Sequence, residues 1–152
     1  MVGVGGMGRV LALDVGDRTI GLAVSDEAGV FAFPLETLSR QPEGHRRDVA
    51  AVARIAAERE VTDIVVGHPI RLDGTVGPQA EKVEAFVEQL RKRVEARVHL
   101  QDERLSTAEC ERAMLDADVR RERRKRAVDS MAASVILQSF LARGGRAAPP
   151  VE

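Results

Sequence analysis

The sequence has no tryptophan or tyrosine, and four phenylalanines are its whole aromatic content. That argues against base stacking as a main binding mode, since such binding needs exposed aromatic platforms and all four phenylalanines fit core positions. A single cysteine, Cys110, excludes an intrachain disulfide framework and a cysteine-cluster zinc site. It reads as a small, semi-buried helical side chain. The three histidines, His45, His68 and His99, are scattered without zinc spacing. No apolar run approaches the length of a membrane span, and the opening MVGVGGMGR lacks an apolar signal core. A soluble, cytoplasmic protein in a reducing compartment is expected. Charge of one sign is lacking too: 23 Lys and Arg against 24 Asp and Glu leave a formal net charge of −1. Any contact with a polyanion must therefore rest on local charge. Gly3, Gly5 and Gly8 spell G-x-G-x-x-G, but a dinucleotide fingerprint must follow a strand, and this one precedes the first.

What is present is a chain of 152 residues, enough for one domain with a real core. Residues 1–8 read as a flexible start, 9–145 as one domain and 146–152 as a loose tail. Residues 9–15, 19–26 and 30–34 are apolar runs joined by short turns, which predicts three antiparallel strands. A helical stretch, GHRRDVAAVARIAAEREV, follows, with Val49, Val52, Ala53 and Ala56 on one face. A fourth strand, 62–70, leads into the loop RLDGTVGPQ. The next helix carries Val83, Phe86, Val87, Leu90 and Val94 as one apolar stripe. A fifth strand covers 97–103. Ser106 and Glu109 form a capping-box pattern opening another helix. DADVRRERRKR reads as a basic connector, and AVDSMAASVILQSFLAR as the last helix, stopped by Gly144-Gly145. The β-α-β order of the later elements implies parallel strands flanked by helices. The expected fold is α/β: one five-stranded mixed sheet with an antiparallel three-strand side.

Three acids stand in awkward places. Asp14 ends the apolar run Val10-Leu11-Ala12-Leu13, and Asp102-Glu103 ends the fifth strand. Ligands of α/β sheets gather at the carboxyl ends of strands. Asp129 shares a helix face with Ala132, Ala133, Ile136 and Phe140, so it points toward the sheet. Each has an ordinary alternative: a turn cap for Asp14, a helix-dipole partner for Asp102 or Glu103, and a first-turn helix acid for Asp129. Brought together, the three would repel unless a proton or cation intervened. Mg²⁺ or Mn²⁺ suits such oxygen donors, and a two-metal site runs in-line phosphoryl displacement.

LALDVGDRTIGLAVSD, IVVGHPIRLDGTVGPQAEKVEAF, DERLSTAE and AVDSMAASVILQSFL together resemble the YqgF (RuvX-like) family of pre-16S ribosomal RNA nucleases, also described as Holliday-junction-resolvase-like. The resemblance runs from about Arg9 to Leu141. It implies a ribonuclease H-like fold and a metal-dependent nuclease. Its catalytic and metal-binding set maps to Asp14 in DVG, Glu103 in DER and Asp129 in VDS, with Asp102 the less secure member of its pair. It further implies 5′-end processing of ribosomal RNA precursor and, by fold relationship, cleavage of branched DNA. His68 and Arg71 stand where uncharged residues are common in the family.

Nucleic acid is the expected partner. Arg120, Arg121, Arg123, Arg124, Lys125 and Arg126 form a basic patch just before Asp129, and phosphate contacts of this kind supply salt-dependent affinity. Arg18, Arg71 and Arg104 lie near strand ends and could steer phosphates. For Asp73, an ordinary loop role is preferred to a metal contact. A homodimer would suit a junction-like substrate. Two competing readings stand: a non-catalytic RNA- or ribosome-binding module, and an actin-like ATP-binding domain, whose first phosphate loop DVGDRTIGLAVSD also resembles.

Overall fold

The computed structural model describes residues 8–40, 45–71, 73–102 and 121–143, with side chains in the last stretch from 131 onward. The strands are β1 (Arg9–Val15), β2 (Thr19–Ser25), β3 (Ala32–Pro34), β4 (Leu38–Ser39), β5 (Val61–His68) and β6 (Arg97–Asp102). The helices are α1 (His45–Glu58), α2 (Pro78–Arg91) and α3 (Arg121–Ala142). The strands form one mixed sheet in the order β3-β2-β1-β5-β6, with β4 also on β2. β2 and β3 run antiparallel, while β1, β5 and β6 are parallel neighbours.

Burial explains why β1 is so apolar. Val10, Leu11, Ala12 and Leu13 are all fully buried, as a central strand covered on both faces must be. Alternation divides the strand between two cores. Leu11, Leu13 and Val15 face the layer built by α1 and α2, through Val49, Val52, Ile55, Val83, Phe86 and Leu90. Val10 and Ala12 join Ala23, Val65, Ala133, Ile136, Leu137 and Phe140 in the core under α3. Ala12, Ala23 and Ala133 are small, which lets α3 approach the sheet closely. α2 follows its predicted stripe from Val83 to Leu90, with Pro78 in its first turn. Val94, the stripe's last member, follows the helix end and still packs against the same core.

Three details differ from the sequence reading. The five expected strands are joined by the two-residue β4, which pairs Leu38 with Ile20 beyond the end of β3. No hydrophobic period marks so short an element. The basic residues from Arg121 to Arg126 belong to α3 rather than to a connector; Arg, Lys and Glu are good helix formers. Two of the four phenylalanines are not core residues. Phe86 and Phe140 are buried, but Phe31 and Phe33 are 63% and 51% exposed. They sit at edge strand β3, where alternation puts them on the side of Leu35, beyond the helices that cover the sheet's centre.

The turn before β3 is built by Asp26. Its Oδ1 accepts the backbone N–H groups of Val30 and Phe31 at 2.8 and 3.0 Å, and these bonds hold its pKa below the ordinary carboxylate value. Gly29 takes φ 74° inside that turn. Gly8 is tied to it as well, donating its N–H to the Glu27 carbonyl at 2.9 Å. No described helix is long and apolar enough to cross a membrane.

Candidate active site

The carboxyl ends of β1, β5 and β6 lie side by side. Leu13 is in register with Val66, and Gly67 and His68 with Gln101 and Asp102. Asp14 therefore stands level with Gly67 and Gln101. Two strand spacings, roughly 10 Å, separate the outer members of this row. Asp14 is half-buried and keeps the alternation of Val10 and Ala12, so it belongs to the α3 face. Gly67 follows Val65 on that face and puts no side chain between its neighbours. Gln101 donates from Nε2 to the Ile136 carbonyl of α3 at 3.0 Å.

That bond fixes the direction of α3. Phe140 lies against His99, with ring centroids 5.0 Å apart, while Ile136 meets Gln101 further along β6. Running backward through its sequence, α3 thus travels toward the carboxyl ends of the strands. Asp129 comes seven residues before Ile136, about 10 Å further at 1.5 Å per residue. Its backbone position is at the end of the sheet that holds Asp14.

Asp102 is placed differently. Val98 packs in the core under α1 and α2, and Asp102 shares its alternation. It therefore lies on the opposite face from Asp14, beside its register partner His68. His68 in turn meets Glu84 of α2, Nε2 to Oε2, at 2.8 Å. Neither residue joins the row that contains Asp14. Glu103, Arg104, Cys110, Arg120 and the capping box Ser106–Glu109 lie outside the described residues, as do the side chains of Arg121, Arg123, Arg124, Lys125, Arg126 and Asp129. Among the described residues, no group of three His, Cys, Asp or Glu side chains could hold a metal ion.

Two of the expected cations are at this end of the sheet. Arg18 is exposed in the turn that joins β1 to β2. Arg71 opens the loop after β5, and its guanidinium crosses the start of α2 so closely that a Cβ on Gly77 would lie 2.6 Å from its Nε. Asp73 serves its own loop: Oδ1 accepts from Thr75 N and Thr75 Oγ1 at 3.0 and 2.7 Å.

Comparisons with known proteins give the family and the fold. A family model described as RuvX, Holliday junction resolvase, matches residues 8–143. The chain belongs to the RuvX family. A relative from Halalkalibacterium halodurans, named pre-16S rRNA nuclease, is 45% identical over 89% of this chain and 96% of its own. One of the same name from Clostridioides difficile is 45% identical over 88% of this chain and 94% of its own. Among solved structures, Thermus thermophilus RuvC in complex with a Holliday junction substrate has a TM-score of 0.59 at 16% identity, covering 94% of this chain and 99% of that one. The fowlpox virus Holliday junction resolvase has a TM-score of 0.55 at 12% identity, over 89% and 99%. The fold is thus ribonuclease H-like, and this RuvX chain is a nuclease that binds nucleic acid. Nucleases of this family and fold are generally divalent-metal dependent.

Two polar clusters were not singled out from the sequence. Asp63 of β5 is fully buried at the other end of the sheet, where its Oδ1 meets His99 Nε2 at 3.0 Å and Arg97 Nε at 3.1 Å. Thr62 Oγ1 donates to its Oδ2 at 2.8 Å. The available signal was the one that exposed Asp14: a carboxylate inside an apolar run, VTDIVV. Arg40, just after β4, bonds both Asp48 and the Gly16 carbonyl. Nothing in its local sequence marks it.

Proposed function

We propose that this RuvX nuclease hydrolyses phosphodiester bonds at a site formed by Asp14, Glu103 and Asp129, in 5′-end processing of pre-16S ribosomal RNA in the cytoplasm, with branched DNA as a second substrate. The observation that carries the site is the row Asp14-Gly67-Gln101 on the α3 face, with a gap at Gly67. Asp102 lies on the face opposite Asp14, beside His68, which turns the reading of the pair Asp102-Glu103 toward Glu103. Helix α3 brings the backbone of Asp129 to the same end. The relatives' shared name supports the RNA substrate, and the family description supports the junction.

Carboxylate oxygens are the donors that hard cations choose, so Asp14, Glu103 and Asp129 would hold Mg²⁺ or Mn²⁺. When bound, one or two such ions would supply charge stabilisation for phosphoryl transfer. Arg18 and Arg71 would hold phosphates flanking the cut. The test is cleavage of labelled pre-16S leader RNA, unstructured RNA and a four-way DNA junction, each with Mg²⁺, Mn²⁺ or EDTA. Cutting of the leader that stops in EDTA is expected; cutting that persists in EDTA overturns the metal assignment.

The face assignment yields its own prediction. Asp102→Asn should cleave within about threefold of the unsubstituted chain, a change worth roughly 0.7 kcal/mol in the barrier. A loss of activity matching Asp14→Asn would put Asp102 in the site.

The basic turns of α3 yield another. Five cations stand within the six residues 121–126, and about half of them are expected to meet one nucleic-acid strand. Replacing Arg121, Arg123, Arg124, Lys125 and Arg126 by glutamine should flatten the slope of log affinity against log salt by roughly two. Filter binding across a salt series measures this, and an unchanged slope removes these residues from the interface.

A further inference from the structure

We infer that Arg40 is a positioning residue for the nuclease site, an inference that rests on the reading of Asp14 above. Asp14 is followed by Val15 and then by the turn Gly16-Asp17-Arg18, closed by the Gly16 N–H donating to the Thr19 carbonyl at 2.8 Å. Three bonds reach this turn and its support from Arg40. Its Nη1 donates to the Gly16 carbonyl at 2.6 Å. Its backbone N–H donates to the Arg18 carbonyl at 2.8 Å. Its Nε donates to Asp48 Oδ2 of α1 at 2.9 Å. The guanidinium carbon also stands 5.6 Å from the centroid of the buried Phe86 ring of α2.

The environment makes this anchor stiff. The side chains of Arg40 and Asp48 are 14% and 6% exposed. Charge-assisted bonds at such burial are about twice as strong as neutral ones, and a planar guanidinium can serve two acceptors in fixed directions. The pair is neutral in sum, so it adds no net charge near the site. Its effect is geometric: it ties the main chain two residues beyond Asp14 to both helices of that layer. A catalytic carboxylate needs placement within about 0.5 Å, and the strand end that carries this one would otherwise lead into an exposed hairpin turn.

Arg40→Ala and Arg40→Lys test the inference, compared with Asp63→Asn as a control destabilised at the opposite end of the sheet. Three readouts are taken well below each melting temperature: cleavage kinetics, calorimetric Mn²⁺ binding, and amide hydrogen exchange at residues 15–19. Arg40→Ala should lower kcat about 10- to 100-fold with KM changed less than about threefold. Mn²⁺ affinity should fall about tenfold, and exchange in the turn should speed up. Arg40→Lys should fall between, because an ammonium is a single point charge and cannot span both acceptors. Asp63→Asn should keep wild-type kcat, Mn²⁺ affinity and turn exchange. If Arg40→Lys, the variant expected to fold in any case, matches the unsubstituted chain in kcat and Mn²⁺ affinity, Arg40 is merely structural and the inference fails. If the unsubstituted chain shows no metal-dependent cleavage, or Asp14→Asn retains it, the nuclease reading of the site fails first and the inference with it.

Discussion

Asp14→Asn should reduce metal-dependent cleavage by about a thousandfold or more, roughly 4 kcal/mol in the activation barrier, while the melting temperature changes by less than about 4 °C. The substitution keeps shape and removes one negative charge. Asp14 is half-buried at a strand end, not sealed in the core, so the amide can be solvated there. The amide keeps the volume of the side chain and can still accept hydrogen bonds, so the change in folding stability should be small. The contribution of Asp14 to the reaction is large if it holds a divalent ion, since an amide oxygen carries no formal charge. Initial rates at saturating Mg²⁺ and a parallel thermal melt separate the two effects. Full activity in Asp14→Asn would remove the residue from the site.

The largest loss of stability is expected at Asp63. Asp63→Ala should cost about 3 kcal/mol, the lower end for removing one member of a buried charged network, because Arg97 and His99 keep some access to water. Burial by itself would raise the Asp63 pKa. The hydrogen bonds from His99 and Thr62, and the charge of Arg97, outweigh it and leave the pKa below the ordinary value of 3.8. The sign follows from linkage. A depressed folded pKa means that the network's contribution is complete above the unfolded pKa and is lost as pH falls through the folded one. The stability difference between the unsubstituted chain and Asp63→Ala should therefore narrow below about pH 4. Urea melts at pH 7 and across the acid range measure both effects. A constant difference down to pH 2.5 would show that Asp63 is not the titrating group.

The contrast between Asp14 and Asp63 shows what sequence could and could not tell. Both are acids within apolar strands, and the same pattern flags both. Asp63 takes one hydrogen bond from adjacent Thr62, but its partners Arg97 and His99 come from 34 and 36 positions away, a pairing set by the β5–β6 register that no local window contains. Asp14 drew attention because it ended a run, where α/β sheets gather ligands. The alternation of β6 likewise puts Asp102 beside His68, on the face opposite Asp14, a placement that its position at a strand end does not reveal. The sheet was legible because its strands carry nearly unbroken apolar runs, and α2 because five residues kept one helical stripe. Arg40 was not legible, since its partners come from a turn, α1 and α2, three places that the fold alone brings together. The exposed Phe31 and Phe33 were misread for the opposite reason. Their strand is apolar, but they lie on the face of its edge that α1 and α2 do not reach, while α3 packs only against the other face, at Ala32.

The central claim is that the carboxylates on the α3 face at the carboxyl end of the sheet hold the metal for cleavage. The most direct measurement is anomalous diffraction from crystals soaked in Mn²⁺, for the unsubstituted chain and for Asp14→Asn. An anomalous peak within coordination distance of Asp14, on the α3 side and absent in the variant, is predicted. A peak on the other face beside Asp102 and His68, or one that persists without the Asp14 carboxylate, would contradict the claim.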